Sequence, residues 1–406
     1  MKKNALMYCC SSEKHSGHLV RAAELAARLA DTFELTILHD DEVLPDHVRI
    51  PESVRTVRLA PLDIDPDSNI FEFGKSLDLR DSIVARRGLI LDEFEALKPR
   101  VVIVDNFPFT QHRLRGEVLP LVERARNGVY GETLVVCTTD GIIVDDSIRS
   151  EDRADQAADF LDKYFDLVVV QSDPIFARLE EFFQPADTPQ TPVYHTGFIA
   201  PAVALERPPV EKRQDMILVS ASDGRHGGRL YRAALEAHEV LWPRLGLFMK
   251  IVAGSQLPDD EWRELIEQTR GQDGVELVRS VPDIRIEMAK ASWSVSQCGY
   301  NTAINAICAQ TPSLFIPCKE RERREQFVRA QRLVYWGAGR LLTPYHLNGA
   351  SLANEINQLL QMPPRKFRFD LHGAENAANL IVRAVYNNEL LTSAGDAQST
   401  DMKPPN

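Results

Sequence analysis

Short apolar, β-branched runs alternate with helix-period stretches from one end of this 406-residue chain to the other. That alternation constrains the fold more than any other feature. Strands joined through helices pair in parallel, and a parallel sheet needs helices over both of its faces. In the first half the predicted strands are 5–10, 35–39, 101–105, 134–138, 167–171 and 193–196, with helices over 19–30, 83–97 and 154–164. The second half repeats the plan. Its strands are 216–220, 248–253, 275–279, 293–297, 313–316 and 339–342, and its helices are 230–242, 260–270, 283–289, 302–309, 326–335 and 349–361.

A proline-rich, polar run, Glu206-Arg-Pro-Pro-Val-Glu-Lys-Arg-Gln-Asp215, separates the halves and reads as a linker. The expected organisation is therefore an α/β domain over 1–205 and a second over 206–370. A helix within 371–390 is free to pack back on the first domain, and a disordered tail covers 391–406. Both domains are expected to be doubly wound and Rossmann-like, facing a central cleft.

Composition narrows the function. A hydrophobic content of 44% supports two full-sized cores, and a formal net charge of −12 argues against a general nucleic-acid binder. No apolar run reaches the length of a membrane span. The N-terminus enters a strand at once, with too short an apolar core for a secretory signal, so the expected location is cytoplasmic. Peripheral membrane contact stays open, and the oligomeric state is not legible. The six cysteines form no Cys-x-x-Cys pair and match no zinc spacing, so they read as small buried hydrophobes.

The most informative segment runs from Ala291 to Ala330. Ser296-Gln-Cys-Gly-Tyr-Asn-Thr302 leads from a strand into a helix, and Glu325-Gln326 opens the next helix after a further strand. A strand–glycine–helix turn aims orphan backbone N–H groups and the positive end of the helix dipole out of the helix N-terminus. That is a natural seat for a diphosphate. Gly299, Tyr300, Asn301 and Thr302 are the candidate residues, and Glu325 and Gln326 offer acceptors and donors suited to sugar hydroxyls. A second glycine-bearing turn, Ser220-Ala-Ser-Asp-Gly-Arg-His-Gly-Gly228, follows another predicted strand. Ser222, Gly224, Arg225 and Gly227 are its candidate donor contacts. A tight turn is the competing explanation.

In the first half, Ser11-Ser-Glu-Lys-His-Ser-Gly-His18 follows the first strand. Ligands of open α/β sheets bind outside the carboxyl ends of the strands, which places His18 at such a mouth. An imidazole there suits general-base work near neutral pH. His15, Gly17 and Asn106 are candidate acceptor contacts. Asp105 and Asp140, at the ends of two further strands, are both candidates to orient His18; capping a turn is the alternative for each. Asp63-Ile-Asp65 is a literal Asp-x-Asp match, but it sits in a proline-rich loop away from any predicted strand end and is discounted as a metal site.

Taken together, Gly17-His18 with Arg21, the 220–228 loop, the 296–302 turn, and Pro317 followed by Glu325-Gln326 and Arg329-Ala330 resemble the two-domain GT-B glycosyltransferases. The likeness is nearest to the MurG-like family, the bacterial N-acetylglucosaminyltransferases of peptidoglycan synthesis and their uncharacterised relatives. The resemblance implies a donor diphosphate at Gly299, Asn301 and Thr302, and a donor sugar at Glu325 and Gln326. It also implies a nucleobase received at the Val281-Pro-Asp-Ile284 turn, through Val281 and Ile284, and an acceptor at His18. Asn305 stands where that family often has a glutamate for the ribose, which admits a thymidine-type as well as a uridine-type donor.

The expectation is a metal-independent, inverting transferase with a nucleotide-sugar co-substrate, no cofactor and an unassigned acceptor. A nucleotide-sugar 2-epimerase and a non-catalytic nucleotide-sugar binder are the alternatives. A dinucleotide oxidoreductase is disfavoured, because the first βα turn lacks its glycine spacing.

Overall fold

The computed structural model describes residues 2–10, 17–40, 49–62, 77–144, 151–201, 213–318, 324–363 and 366–386. His15, Asp63, Asp65, residues 206–212 of the expected linker and the tail after 390 lie outside them.

The described residues fall into two compact units. The first runs to Ile199 and resumes at Phe369; the second is Ala200–Arg368. Among the described residues, the first unit holds strands β1 (Lys3–Cys9), β2 (Phe33–His39), β3 (Arg55–Arg58), β4 (Val101–Asp105), β5 (Leu134–Thr139), β6 (Leu167–Val170) and β7 (Val193–His195). They form one parallel sheet in the order β3-β2-β1-β4-β5-β6-β7. The second unit holds β8 (Gln214–Ser220), β9 (Phe248–Val252), β10 (Val275–Val278), β11 (Ala291–Ser296), β12 (Ser313–Phe315) and β13 (Gly339–Leu341), parallel in the order β10-β9-β8-β11-β12-β13.

Each sheet reverses its winding once. In the first unit the chain leaves β1 for β2 on one side and later places β4 on the other side of β1. In the second it leaves β8 for β9 and later lays β11 on the far side of β8. The crevice at such a reversal, outside the carboxyl ends of the two strands, is where open α/β sheets bind ligands. The start of the helix Gly17–Leu29 and Asp105 stand at one reversal. The 221–227 loop and the Gly299 turn stand at the other.

The central strands of the first sheet are buried on both faces, as their continuous apolar runs require. Val101–Asp105 is buried at every position. One face packs on the helices Leu77–Leu97, Arg115–Arg126 and Glu151–Tyr164 through Ile90, Phe94, Val118, Leu121 and Leu161. The other packs on Gly17–Leu29, whose Leu19, Ala22, Leu25, Ala26 and Leu29 recur at helical spacing, and on the last helix, Gly373–Tyr386. That last helix belongs to the first unit. It docks through Ala374, Ala377, Ala378, Ile381 and Val385, and the returning chain is pinned by Asp370 N donating to Asp173 Oδ2 at 2.7 Å. The helix predicted over 83–97 begins earlier. Strand β3 and the helix Arg115–Arg126 have no counterpart in the sequence-based reading.

A buried ion network crosses the first unit. Arg86, 2% exposed, donates to Glu117 through Nε at 2.8 Å and Nη2 at 2.7 Å, and to Asp40 at 3.2 Å; the Tyr8 hydroxyl also donates to Glu117. Burial, reinforced by the Glu117 carboxylate, holds the Tyr8 phenol well above its ordinary pKa.

Candidate functional site

His18 lies in the first turn of the helix Gly17–Leu29, directly beyond the loop that leaves β1. Its Nδ1 is 2.6 Å from Asp105 Oδ2, at the carboxyl end of β4. β1 and β4 are paired neighbours, which is why a residue after one and a residue ending the other meet. Asp105 is enclosed by donors. Thr138 Oγ1 donates to Oδ1 at 2.8 Å, Asn106 Nδ2 donates to Oδ2 at 3.0 Å, and Arg21 Nη2 stands 3.5 Å from Oδ2. Burial by itself would raise the Asp105 pKa. Arg21, then His18 and Thr138, outweigh burial and hold it below the ordinary carboxylate value.

An ionised carboxylate at this distance is satisfied by a proton on His18 Nδ1. That tautomer leaves the lone pair on Nε2, the arrangement needed to accept a proton. Asn106 is buried, and its amide is 3.0 Å from His18 Nδ1. Its backbone is left-handed at φ 59°, a conformation asparagine tolerates better than most residues. The asparagine expected to touch an acceptor is thus built into the His18–Asp105 pair. Asp140 closes the turn after β5, its Oδ1 accepting from Ile142 N at 3.2 Å.

In the second unit β11 is followed by Gln297-Cys298-Gly299, and the helix Tyr300–Ala309 comes next with Gly299 as its N-cap. Three buried or half-buried side chains hold this turn. Gln326 Oε1 accepts from Cys298 N at 3.4 Å and from Cys318 N at 3.1 Å. Arg329 Nη1 donates to Cys298 O at 3.0 Å, and its guanidinium lies 5.8 Å from the centre of the Tyr300 ring. Gln297 Nε2 donates to His226 O at 3.0 Å, tying the turn to the loop after β8. Gln326 and Arg329 lie on the inner face of the helix Arg324–Tyr335, whereas Glu325 is half-buried at its first turn. Burial pushes the Cys298 thiol up to about 12, so it stays protonated. Asn301 and Thr302 are half-buried beside Gly299.

The two glycine turns differ in what they require. Gly224 has φ +94°, and a Cβ on it would lie 2.0 Å from Ala253 O, so close packing against the segment after β9 demands glycine there. Gly299 has an ordinary backbone, φ −62° and ψ 161°. A Cβ on it would meet nothing nearer than Ser222 Oγ at 3.5 Å and Gln326 Nε2 at 4.0 Å. The protein's own packing does not demand a glycine at 299, and the space it leaves faces two polar side chains. Ser222 is exposed and left-handed, at φ 47°. Arg225 is half-buried, its backbone N bonded to Asp223 Oδ1.

Val281 and Ile284 follow β10 at the sheet edge. Ile284 begins a helix capped by Asp283, which accepts from Arg285 N at 2.9 Å. Gln297, Arg329, Thr138 and Arg21 join the site although sequence assigns them no role of their own; each is polar and lies in or beside an apolar run, the one sequence signal of such a buried polar group.

Residues 230–383 match the glycosyltransferase family 28 C-terminal domain. The fold is that seen in the GT-B glycosyltransferases, and the family match is confined to the second unit and the returning helix. An uncharacterized glycosyltransferase of Methanopyrus kandleri is 27% identical over 168 residues, 41% of this chain and 44% of that protein. The UDP-N-acetylglucosamine–N-acetylmuramyl-(pentapeptide) pyrophosphoryl-undecaprenol N-acetylglucosamine transferase of Lactococcus lactis is 24% identical over 202 residues, 50% of this chain and 54% of that enzyme. The matches therefore span about half the length of these relatives.

Solved structures carry the likeness over nearly the whole chain. The calicheamicin glycosyltransferase superposes with a TM-score of 0.57 at 18% identity, covering 96% of this chain and 94% of that one. The spinosyn rhamnosyltransferase complexed with thymidine diphosphate gives 0.56 at 19%, covering 95% and 96%. A putative UDP-N-acetylglucosamine 2-epimerase from Listeria monocytogenes gives 0.58 at 15%, covering 95% and 98%. At these identities the likeness is one of fold. Among the described residues no helix is long and apolar enough to cross a membrane.

Proposed function

We propose that the chain is a glycosyltransferase that moves a sugar from a nucleoside-diphosphate donor to an acceptor hydroxyl. The second unit takes the donor. Its diphosphate lies over Gly299, against the backbone N–H groups of Tyr300, Asn301 and Thr302, and Ser222 and Glu325 complete the contacts. The open space at a glycine that packing does not demand, at the second sheet's reversal point, is the observation that carries this reading. Fixed amides and a helix dipole meet the charge that develops on the leaving diphosphate, and on that basis no divalent cation is required.

The first unit supplies the base. With Nδ1–H on Asp105, His18 Nε2 accepts the acceptor's proton as its oxygen attacks the anomeric carbon. The carbon–oxygen bond to the diphosphate breaks as the new glycosidic bond forms, and a single displacement inverts the anomeric centre. The donor is a UDP- or TDP-sugar. The Lactococcus relative is named for a UDP-sugar substrate and a spinosyn neighbour is complexed with TDP, so both enter the first screen.

The test is a thermal-shift series with UDP, TDP, GDP and their sugars, because a ligand selective for the native state raises its melting temperature. One nucleotide should raise it in the native chain and lose that effect in Gly299→Val. No shift with any nucleotide would remove the donor site. Incubation with donor alone separates the rival activity, since an epimerase alters the sugar without an acceptor.

A further inference from the structure

Arg21 is 4% exposed and lies one helical turn beyond His18. Its Nη2 stands 3.2 Å from His18 Nδ1 and 3.5 Å from Asp105 Oδ2. A cation this close to an imidazole is unusual for a group meant to bind a proton. Asp105 from the end of β4 and Arg21 from its own helix both face the imidazole. The Cys137 thiol of β5 lies behind Asp105, and burial followed by the Asp105 charge keeps it well above its ordinary pKa. A buried carboxylate needs a counter-ion. A lone carboxylate beside an imidazole favours the protonated imidazolium, whereas a fixed cation beside both opposes it.

We propose that Arg21 is a positioning residue that serves as the counter-ion of Asp105, so that His18 stays a neutral imidazole with its lone pair on Nε2. Arg21 thereby takes the electrostatic role and leaves His18 the hydrogen-bonding one. Asn106 completes the separation. Its amide donates to the same carboxylate oxygen at 3.0 Å, so Oδ2 meets two hydrogen-bonding groups, His18 and Asn106, and the Arg21 charge at ion-pair distance. The inference rests on His18 as the base of the proposed reaction, but its test needs no substrate.

The test is the titration of His18, followed by NMR of the full chain with isotope-labelled histidine, with His18→Gln identifying its signal among the ten histidines. In Arg21→Met, His18 should take up its proton at a pH about one unit higher than in the native chain. Arg21→Lys, which keeps the charge, should restore most of the difference. Asp105→Asn, which leaves the guanidinium beside the imidazole with no carboxylate, should move the titration the opposite way. A His18 titration unmoved in Arg21→Met overturns the proposal. If that variant does not fold, Asp105→Asn decides: a titration that stays put or rises there is equally fatal. Turnover is scored separately. The acid limb of kcat/KM should shift with the NMR titration, whereas a purely structural arginine would lower kcat with no change in the pH profile.

Discussion

His18 Nδ1 and Asp105 Oδ2 are 2.6 Å apart although 87 residues separate them in the chain. The parallel pairing of β1 with β4 brings them together, and Thr138 from β5 fixes the second carboxylate oxygen. As the proposed base, His18 is expected to contribute as positioned bases do, so His18→Ala should lower turnover by about 100-fold or more. Donor binding should persist, because its proposed contacts lie in the second unit. Steady-state kinetics beside nucleotide titration would show the split, and near-native turnover would remove His18 from the mechanism.

Asp105 also links the site to acid stability. Its folded pKa is depressed, so the carboxylate contributes stability above its unfolded value of about 3.9, and that contribution is lost as pH falls through the folded pKa. Asp105→Asn removes the titration. The variant is expected to be less stable at neutral pH, and the gap between it and the native chain should narrow as pH falls below about 4. Urea midpoints measured at several pH values test this. A gap that widens on acidification would contradict the sign.

The glycines offer a contrast within one unit. Gly224→Ala forces a side chain into Ala253 O at φ +94° and should cost about 1–3 kcal/mol, reported as a lower melting temperature. Gly299→Ala meets nothing closer than 3.5 Å on an ordinary backbone, so its melting temperature should stay near the native one while nucleotide affinity falls at least several-fold. If Gly299→Ala binds nucleotide normally, the space beside Ser222 and Gln326 is not the diphosphate seat.

Much of this was legible in the sequence because the physics is local. The runs at 101–104 and 216–219 are apolar throughout, which marks strands covered on both faces, and a strand–Gly299–helix succession places amides at a helix start whatever the tertiary context. Strand β3 escaped because Arg-Thr-Val-Arg is an exposed or half-exposed edge strand with no apolar alternation. The helix Arg115–Arg126 escaped because it carries Pro120 and an arginine-rich surface, while the Glu117 that faces inward looks like another solvent charge. Which aspartate meets His18 depends on strand order. Asp105 ends a strand paired with β1, whereas Asp140 follows one that is not, and sequence spacing does not encode that difference. Gln326 reads equally well as a sugar ligand or as a staple, and only the paired bonds from Cys298 and Cys318 show the second role.

Glu117 itself gives the sharpest stability prediction. Arg86 is fully buried and bonds two carboxylates, Glu117 through two nitrogens and Asp40 through a third. Removing one member of a buried ion pair leaves an uncompensated charge and costs about 3–5 kcal/mol, whereas replacing the pair by apolar groups of similar volume is often neutral. Arg86→Met strands two carboxylates and the Tyr8 hydroxyl that donates to one of them. Glu117→Gln keeps an amide in place of the carboxylate and leaves Asp40 as counter-ion. The arginine variant should therefore lose more stability than the glutamine variant, and Arg86→Met with Glu117→Leu should recover part of the loss. All four tryptophans lie in the second unit, so their fluorescence reports chiefly on that unit; amide hydrogen exchange across β1 and the helix Leu77–Leu97 reads the first unit directly. A loss under about 1 kcal/mol in Arg86→Met would mean that the network is hydrated and its charges are not buried in the sense argued.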